Sequence, residues 1–350
     1  MKELAADIAR WRARGERFAV ATVVGARRSA PRPVGSKLLV SESGEIAGSV
    51  SGGGVESDVF GEAREVLAGL EPRLLSYGIS DELAATVGLS CGGEIDVFVE
   101  ESPLVARVLE VAESNERAVH LTVIDGPRIG AEALVFDNGE VLGDAALAPL
   151  ADGLQGGKSK VIDLEDGGRA FAEVYGPPPR LLAFGAIDTA ESLCAAAKLL
   201  GWRTVVVDAR ARFATPERLP SADEIVVGWP DDVLPQLSPG PDDAIVVLTH
   251  EERFDVPALQ GALGSDAFYI GALGSRVAQA SRRERLVEAG VSPKTLERLH
   301  GPAGLDLGAE SPAETAVSIL TEIMAARAGR PGGPLRERAG SVRSQPATAP

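Results

Sequence analysis

The stretch Leu181–Arg210, which reads LLAFGAIDTAESLCAAAKLLGWRTVVVDAR, decides the fold of the C-terminal half of the chain. Two short apolar runs, Leu181–Phe184 and Thr204–Val207, flank a segment whose apolar side chains recur at helical spacing. Continuous apolar strands are typical of a parallel sheet that is buried on both faces. The stretch therefore predicts a β-α-β unit of a Rossmann-like domain, with Asp208 at the end of its second strand.

The turn after the first of these strands departs from the dinucleotide-binding fingerprint. Gly185 and Asp208 stand where such a fold places its first glycine and the acid that holds a ribose hydroxyl. The second glycine of the fingerprint is replaced by Ile187, and Asp188 adds negative charge where phosphates would dock. The pattern predicts the fold but argues against the binding of NAD(P).

Composition limits the class of protein. The chain has 350 residues, enough for two domains with full cores, and a net charge of −16, which argues against a nucleic-acid partner. The sequence has no apolar run near the ~20 residues of a membrane helix, so we expect no membrane partner. The only two cysteines, Cys91 and Cys194, indicate a reducing compartment, and we expect a cytoplasmic protein. No internal repeat is evident.

The proline-rich segment after Tyr175 marks a boundary between domains, because consecutive prolines cannot continue a sheet and form a stiff connection. We predict an α/β protein: an N-terminal mixed α+β domain followed by a Rossmann-like, doubly wound parallel-sheet domain. The predicted bounds are 1–175 and 181–328, with a linker at 176–180 and a disordered tail at 329–350.

A glycine-rich turn in the N-terminal half, Ser49–Glu56, runs directly into a helix. Backbone N–H groups at a helix start bind anions, and glycines allow a ligand to approach closely. Glu56 suits the helix dipole but would oppose a phosphate. The alternative is a structural turn without a ligand. The candidate residues of this turn are Ser51, Gly52, Gly53, Gly54 and Glu56.

Two further loops of the N-terminal half carry candidate residues. The loop Gly25–Lys37 is stiffened by prolines and is locally free of acids, so we expect it to display its cations; these are Arg27, Arg28, Arg32 and Lys37. In a second glycine-rich loop, Cys91 and Gly92 are expected to be accessible, and the thiol suits a reactive or metal-binding role. A packed structural cysteine is the alternative. Cys194 is predicted to be a core residue.

A second anion site is predicted in the C-terminal half, where a strand leads through Gly271–Arg276 into a basic helix. Its candidate residues are Gly271, Gly274, Ser275 and Arg276. Ser275 is the expected N-cap, and Arg276 could pair with an oxyanion. His250 lies at the carboxyl end of another strand, where open α/β sheets bind ligands. It is a candidate for proton transfer or, alternatively, an ordinary hydrogen-bonding residue.

Several of these motifs together, in this order, resemble the XdhC/CoxI family, accessory proteins of molybdenum-containing hydroxylases. The resemblance covers nearly all of residues 1–327. It rests on Gly35–Lys37, Gly48–Glu56, Gly88–Gly93, Val207–Arg210, Leu248–His250 with Asp255, Gly271–Arg276 and Gly304–Gly308.

The resemblance implies a carrier more than an enzyme. It implies binding of the molybdenum cofactor in a mono- or dinucleotide form, support of its sulfuration by a cysteine desulfurase, and delivery to an apo-hydroxylase such as xanthine dehydrogenase or carbon monoxide dehydrogenase. It also implies homodimers. Family members commonly have Cys where this chain has Gly54, which leaves Cys91 as the candidate thiol for molybdenum.

Two other functions stay open from the sequence. One is an NAD(P)-dependent oxidoreductase or a nucleotide-modifying enzyme that uses Asp208 and His250. The other is an assembly scaffold without a bound cofactor, which the replacement of the family's cysteine by Gly54 suggests.

Overall fold

The computed structural model describes residues 1–27, 30, 32–78, 93–154 and 157–337. The chain divides into two compact units, the first ending at Pro177 and the second beginning at Pro178. This division falls inside the proline-rich segment 176–180. Of the predicted tail, residues 338–350 lie outside the described part, and Leu335–Glu337 forms a short 3-10 helix. No helix of the described residues is both long enough and apolar enough to cross a membrane.

The first unit contains two five-stranded antiparallel sheets with short helices between their strands. The first sheet and its helices comprise a 3-10 helix Lys2–Leu4, α1 Ala5–Ala13, β1 Phe18–Arg27, β2 Lys37–Ser41, β3 Ile46–Gly48, α2 Glu56–Leu67, β4 Arg73–Gly78 and β5 Glu94–Glu100. The second comprises α3 Val105–Ser114, β6 Ala118–Asp125, β7 Glu132–Phe136, β8 Val141–Gly143, a 3-10 helix Ala145–Ala151, β9 Lys160–Asp163 and β10 Arg169–Tyr175.

The two sheets repeat one topology. Their strand orders are β3-β2-β1-β5-β4 and β8-β7-β6-β10-β9, so each strand of the first has its counterpart five strands later. Gly48 and Gly143 occupy equivalent positions with φ of +83° and +88°. A Cβ atom added to either would lie 2.3 Å from a carbonyl oxygen, that of Lys37 or of Glu132. The first unit is a structural duplication that the sequence analysis missed, because the side chains of its halves differ.

The sheets pack face to face around apolar side chains. Val24, Phe98, Ile124 and Phe171 are buried together and come from β1, β5, β6 and β10, the strands nearest the centre of each sheet. Each sheet also has a separate apolar cluster on its other face, under α2 in one case and under the 3-10 helix Ala145–Ala151 in the other. Burial of both faces explains why β1 and β6 read as nearly continuous apolar runs.

The second unit is a six-stranded parallel sheet with the order β13-β12-β11-β14-β15-β16. Its strands are β11 Arg180–Phe184, β12 Arg203–Asp208, β13 Glu224–Val227, β14 Asp243–Val247, β15 Tyr269–Ala272 and β16 Leu299–His300. Its helices are α4 Asp188–Leu199, α5 Pro230–Leu237, α6 Glu252–Leu263, α7 Arg276–Glu288, α8 Pro293–Leu296 and α9 Pro312–Arg327.

Helices cover both faces of this sheet. Val233, Phe254 and Leu286, from α5, α6 and α7, are buried on one face, while Leu193 and Ile319, from α4 and α9, are buried on the other. The chain builds outward from β11 on one side and then returns to β14 on the other, so the strand order reverses between these two strands. The predicted Rossmann-like, doubly wound domain is confirmed. Ligands of such sheets bind at the carboxyl ends of the strands, where the order reverses.

Candidate functional site

The turn after β11 lies at this reversal point and requires a glycine. Gly185 has a φ of +119°, and its N–H donates to the Val207 carbonyl oxygen over 2.8 Å. A Cβ atom added to it would lie 2.6 Å from Cγ2 of Thr249, which follows β14. The ends of β11, β12 and β14 therefore meet directly at this turn, and Gly185 is where sequence reasoning placed it.

Asp208, at the end of β12, is buried and already fully bonded. Its Oδ2 accepts hydrogen bonds from the Ala186 N–H at 2.8 Å and from Arg210 Nη2 at 2.7 Å. Its Oδ1 accepts two more, from the N–H and from Nε of Arg210, both at 2.9 Å. Burial alone would raise the pKa of Asp208, but the hydrogen bonds from Arg210 and Ala186 outweigh it and lower the pKa.

An ionised carboxylate offers about four acceptor positions, and Asp208 uses all of them within the protein. A ribose hydroxyl could bond to Asp208 only by displacing one of these donors, which belong to Arg210 and Ala186. Contact between Asp208 and a cofactor therefore stays a prediction, and it would require the loss of one of these hydrogen bonds. The residue holds the Gly185 turn and the Arg210 side chain in place.

The turn between β15 and α7 is the second predicted anion site. Gly274 has a φ of +137°, and Ser275 is the N-cap, its Oγ accepting from the Ala278 N–H over 3.2 Å. The N-cap prediction is confirmed. Arg276 is exposed at the first position of this 13-residue helix. The turn thus places an N-capped helix start and an exposed guanidinium at the carboxyl edge of the sheet.

Gly271 does not belong to this turn. It is a residue of β15, where it pairs with His300 of β16. A Cβ atom added there would lie 2.7 Å from Tyr269 Cε1 and 3.0 Å from Ala303 Cβ. The residue is glycine because of packing inside the sheet, so its prediction as part of a phosphate-binding turn is corrected.

His250 is exposed just beyond β14. Its Cε1 atom would lie 3.5 Å from a Cβ added to Gly274, so the ends of β14 and β15 are adjacent. Asp255, which the sequence places near His250, bonds to other groups: it accepts from Thr249 Oγ1 and, over 2.8 Å, from Arg282 Nη2. Proton transfer by His250 stays a prediction.

The glycine-rich turn of the first unit is occupied by its own carboxylate. Glu56 accepts hydrogen bonds from the backbone N–H groups of Ser51, Gly52, Gly53 and Val55 at 2.9 to 3.2 Å. It also accepts from the hydroxyls of Ser49, at 2.7 Å, and Ser51.

These contacts change the interpretation of the turn. Burial opposes ionisation of Glu56, but the hydrogen bonds from Ser51 and Ser49 outweigh it and lower its pKa to about 2. The Gly54 N–H donates to Ser51 Oγ over 2.9 Å. The expected free anion cradle is therefore wrong: the protein supplies the anion itself. Contact between this turn and a cofactor stays a prediction.

The described cations of the loop before β2 differ in how far they are displayed. Arg27 ends β1 and pairs with Asp96 at 2.7 Å and with Glu94 at 3.4 Å, because β5 brings these acids beside it. Lys37 is the first residue of β2; its side chain is 4% exposed, and its Nζ donates to Glu173 over 2.8 Å. The display expected of Lys37 is corrected, whereas the paired Arg27 side chain is still 54% exposed, as expected. Arg32 is exposed.

Three candidate residues, Arg28, Cys91 and Gly92, lie outside the described part of the chain. Cys194, by contrast, is buried as predicted, and burial raises the pKa of its thiol to about 11. Among the described residues there is no cluster of three histidine, cysteine or acidic side chains that could hold a metal ion.

Sequence reasoning missed a polar cluster buried between the two sheets of the first unit. Beside the Lys37–Glu173 pair, His120 Nε2 lies 2.8 Å from Glu132 Oε2, and Ser102 Oγ donates to the same oxygen over 2.8 Å. A cavity of about 20 Å³ lies among these groups. The signal in the sequence was faint: a charged residue alternating with apolar ones in each of several strands.

Comparison with known proteins finds matches in both units. A family model described as "XdhC and CoxI family" matches residues 11–78, and one described as "XdhC Rossmann domain" matches residues 181–323. A Bacillus subtilis protein, named as a probable subunit of xanthine dehydrogenase, is 30% identical over 321 residues, which are 89% of this chain and 94% of that protein.

The chain belongs to the XdhC and CoxI family. The resemblance seen in its motifs is thereby confirmed. Another relative, the Escherichia coli protein named "Molybdenum cofactor insertion chaperone PaoD", is 25% identical over 313 residues, 89% of this chain and 84% of that one. The crystal structure of a protein from Bacillus halodurans, described as a xanthine dehydrogenase, superposes with a TM-score of 0.69 at 27% identity and covers 94% of this chain and 97% of that one.

Within the family models, the N-terminal match includes the Glu56-filled turn. The C-terminal match includes the complete carboxyl edge from Gly185 to Arg276. Both candidate regions of the described structure thus lie in segments that carry the family assignment.

Proposed function

We propose that this protein is a maturation chaperone that binds the molybdenum cofactor and assists its insertion into a molybdenum hydroxylase. Two relatives support the proposal through their names, one as a molybdenum cofactor insertion chaperone and one as a probable component of xanthine dehydrogenase. The matches span most of both relatives, so the likeness extends over two domains and not over a Rossmann-like unit alone.

The proposal rests on which groups are bonded and which are exposed at the carboxyl edge of the second unit. Asp208 is saturated by Arg210 and Ala186, which disfavours the ribose contact of an ordinary nicotinamide cofactor. The turn at Gly274, in contrast, presents an N-capped helix start and the exposed Arg276. Such a helix start, with its dipole and an adjacent guanidinium, suits the phosphate of a phosphorylated pterin.

We also propose the form of the bound cofactor and the proteins with which this chaperone acts. The protein would hold the cofactor in a mono- or dinucleotide form while a cysteine desulfurase sulfurates it, and would pass it to an apo-hydroxylase of the xanthine dehydrogenase or carbon monoxide dehydrogenase type. We propose a cytoplasmic homodimer that carries the cofactor without transforming it, with the Cys91 thiol near the molybdenum end.

Retention of the cofactor tests the proposal. The full chain is incubated with molybdenum cofactor, separated from free cofactor by gel filtration, and assayed for bound pterin by fluorescence after oxidation. Arg276→Ala should lower retention about tenfold, since it removes a charge-assisted contact worth roughly 1.5–3 kcal/mol. Arg285→Ala is the matched control, because Arg285 lies on the same helix and pairs with Glu252 on the surface.

The same preparation is titrated with NADH. Retained pterin without NADH binding supports the carrier. Wild-type protein that retains no pterin, or that binds NADH tightly, contradicts it and favours an oxidoreductase or a cofactor-free scaffold.

A further inference from the structure

The Arg210 side chain is held rigidly at the carboxyl edge of the second unit. One edge of its guanidinium, formed by Nε and Nη2, is bonded to both oxygens of the buried Asp208 carboxylate. Its face lies over the ring of Phe213, with 4.4 Å between the guanidinium carbon and the ring centroid. A long side chain that would ordinarily be mobile is therefore fixed at an edge and at a face.

The other edge of this guanidinium is available to a ligand. A guanidinium has five N–H groups, and Asp208 takes two of those of Arg210. Within the described part of the chain, Nη1 has no hydrogen-bond acceptor, and 41% of the side chain is exposed. The open edge can donate two parallel hydrogen bonds, which is the geometry that oxyanions of phosphate esters accept.

The surroundings favour a nucleotide over a free anion. Arg210 follows β12, next to the Gly185 turn at which the strand order reverses, and nucleotides bind open α/β sheets there. Phe213 is 39% exposed, and a second guanidinium, that of Arg218, lies 5.2 Å from its ring centroid. Aromatic rings and guanidinium planes are both surfaces on which bases stack. Glu251 lies near enough to interact with Arg210 and would oppose excess negative charge.

We propose that Arg210 is the anion-binding residue of a nucleotide subsite at this edge, and that Asp208 is its positioning residue and not a ribose ligand. The ligand class is a nucleoside phosphate ester, alone or as the nucleotide part of a larger cofactor. The inference rests on the proposed function in that a nucleotide form of the pterin cofactor would place this part here. In this subsite the protein would recognise the phosphate of the nucleotide through Arg210, whereas a nicotinamide-type fold recognises the ribose through its acid.

Calorimetric titration of the full chain tests the assignment, with adenosine and cytidine 5′-monophosphates as probes and the corresponding nucleosides and inorganic phosphate as comparisons. The wild-type protein should bind a nucleotide at least about tenfold more tightly than its nucleoside or phosphate alone. Arg210→Ala should abolish that difference, and Arg210→Lys, which keeps the charge but loses the planar fork, should retain only part of it.

Arg203→Ala is the matched control and should bind like the wild type. Arg203 is exposed at the amino end of the same strand, β12, and pairs with Glu224 on the opposite edge of the sheet. Circular dichroism of each variant verifies folding, and Arg210→Lys keeps the test decisive if Arg210→Ala does not fold.

The inference would be overturned by equal affinity for nucleotide and nucleoside, by unchanged nucleotide affinity in Arg210→Ala and Arg210→Lys, or by no binding of either nucleotide at concentrations of about 10 mM. Phosphate that binds as tightly as a nucleotide would also overturn it, since the base would then contribute nothing. These probes contain no pterin. Retention of pterin without nucleotide binding therefore refutes this subsite alone, and nucleotide binding without pterin retention refutes the proposed function alone.

Discussion

At the scale of single residues, two carboxylates that the sequence places at candidate ligand sites bond to groups of the protein itself. Glu56, which the sequence places as an obstacle to phosphate binding, is the anion that organises the glycine-rich turn. The Asp208 carboxylate accepts from Arg210 and is not left free for a ribose hydroxyl. In both cases a carboxylate takes up donors that sequence motifs would assign to a ligand, because unpaired buried donors are costly and a local carboxylate is the nearest partner.

The Glu56 contacts predict a pH-dependent effect of Glu56→Gln. Hydrogen bonds hold the pKa of Glu56 at about 2, below its ordinary value of 4.5, so its stabilisation is complete above pH 4.5 and is lost as the pH falls toward 2. Because the group is only partly buried and solvent screens it, we discount the effect and expect Glu56→Gln to lower the free energy of unfolding by about 1–2 kcal/mol at pH 7. The loss should shrink as the pH is lowered from about 5 to about 3.

The measurement is denaturant unfolding followed by fluorescence of Trp11, which reports on the first unit once Trp202 and Trp229 of the second are replaced by phenylalanine. Glu71→Gln serves as the control, because Glu71 is exposed and lies just beyond the same helix, α2. If Glu56→Gln and its parent differed in free energy of unfolding by the same amount at every pH, the stabilisation would not come from the Glu56 charge.

At the scale of elements, the decisive feature is the polar cluster between the two sheets of the first unit. Lys37 on β2 and Glu173 on β10 join the sheets through a buried ion pair beside the apolar side chains of the interface. Burial opposes ionisation of Glu173, but Lys37 outweighs it and lowers the pKa of Glu173. Glu100 nearby has its pKa raised well above the ordinary value by burial and by the neighbouring Glu132.

Replacing one partner of this ion pair should destabilise the protein far more than replacing both partners. Lys37→Met leaves the Glu173 carboxylate buried without its partner, which should lower the free energy of unfolding by about 3–5 kcal/mol at pH 7. The double variant Lys37→Met/Glu173→Leu should recover most of the loss, since apolar replacements of buried pairs are often neutral.

The Trp11 signal again provides the measurement. In wild type, the contribution of Glu173 is present above its ordinary pKa of 4.5 and is lost as the pH falls, because its pKa in the folded protein is lowered. Lys37→Met loses this contribution, so the difference in free energy of unfolding between this variant and wild type should become smaller at acid pH. A double variant as unstable as Lys37→Met would show that packing, and not charge, holds the sheets together.

At the scale of the whole molecule, two units with separate cores share one chain. Residues up to Pro177 form the pair of duplicated sheets, and those from Pro178 form the parallel sheet. The apolar clusters of each are built from that unit's own strands and helices; Val97 and Leu121 belong to clusters of the first, and Phe184 and Leu193 to clusters of the second.

We therefore expect residues 1–177 and 178–337 to fold as separate polypeptides. Each should show cooperative thermal unfolding by circular dichroism, because each buries its own core and domains of this size are stable alone. Trp11 in one fragment, and Trp202 in the other, should be protected from an aqueous quencher. A fragment that is unfolded at room temperature would show that the core of one unit depends on the other.

Much of the fold could be predicted from local patterns. Apolar runs and helical spacing placed the strands and helix of Leu181–Arg210, and Ser275 is the N-cap that its position predicts. The glycine and proline content of 176–180 indicated the boundary between the units. These features depend on residues within a few positions of one another, so a linear sequence displays them directly.

The candidate site depended on contacts that the linear sequence does not show. Lys37 meets Glu173 across 136 positions of the chain, and Arg27 meets Asp96 across 69. The duplication of the two sheets is visible in strand order and not in residue identity. The sequence by itself determined the elements, the parallel sheet and the family. Only the tertiary structure decided which charges pair with one another and which stay exposed, because the free energy of a charge is set by the groups that folding brings within a few ångströms of it.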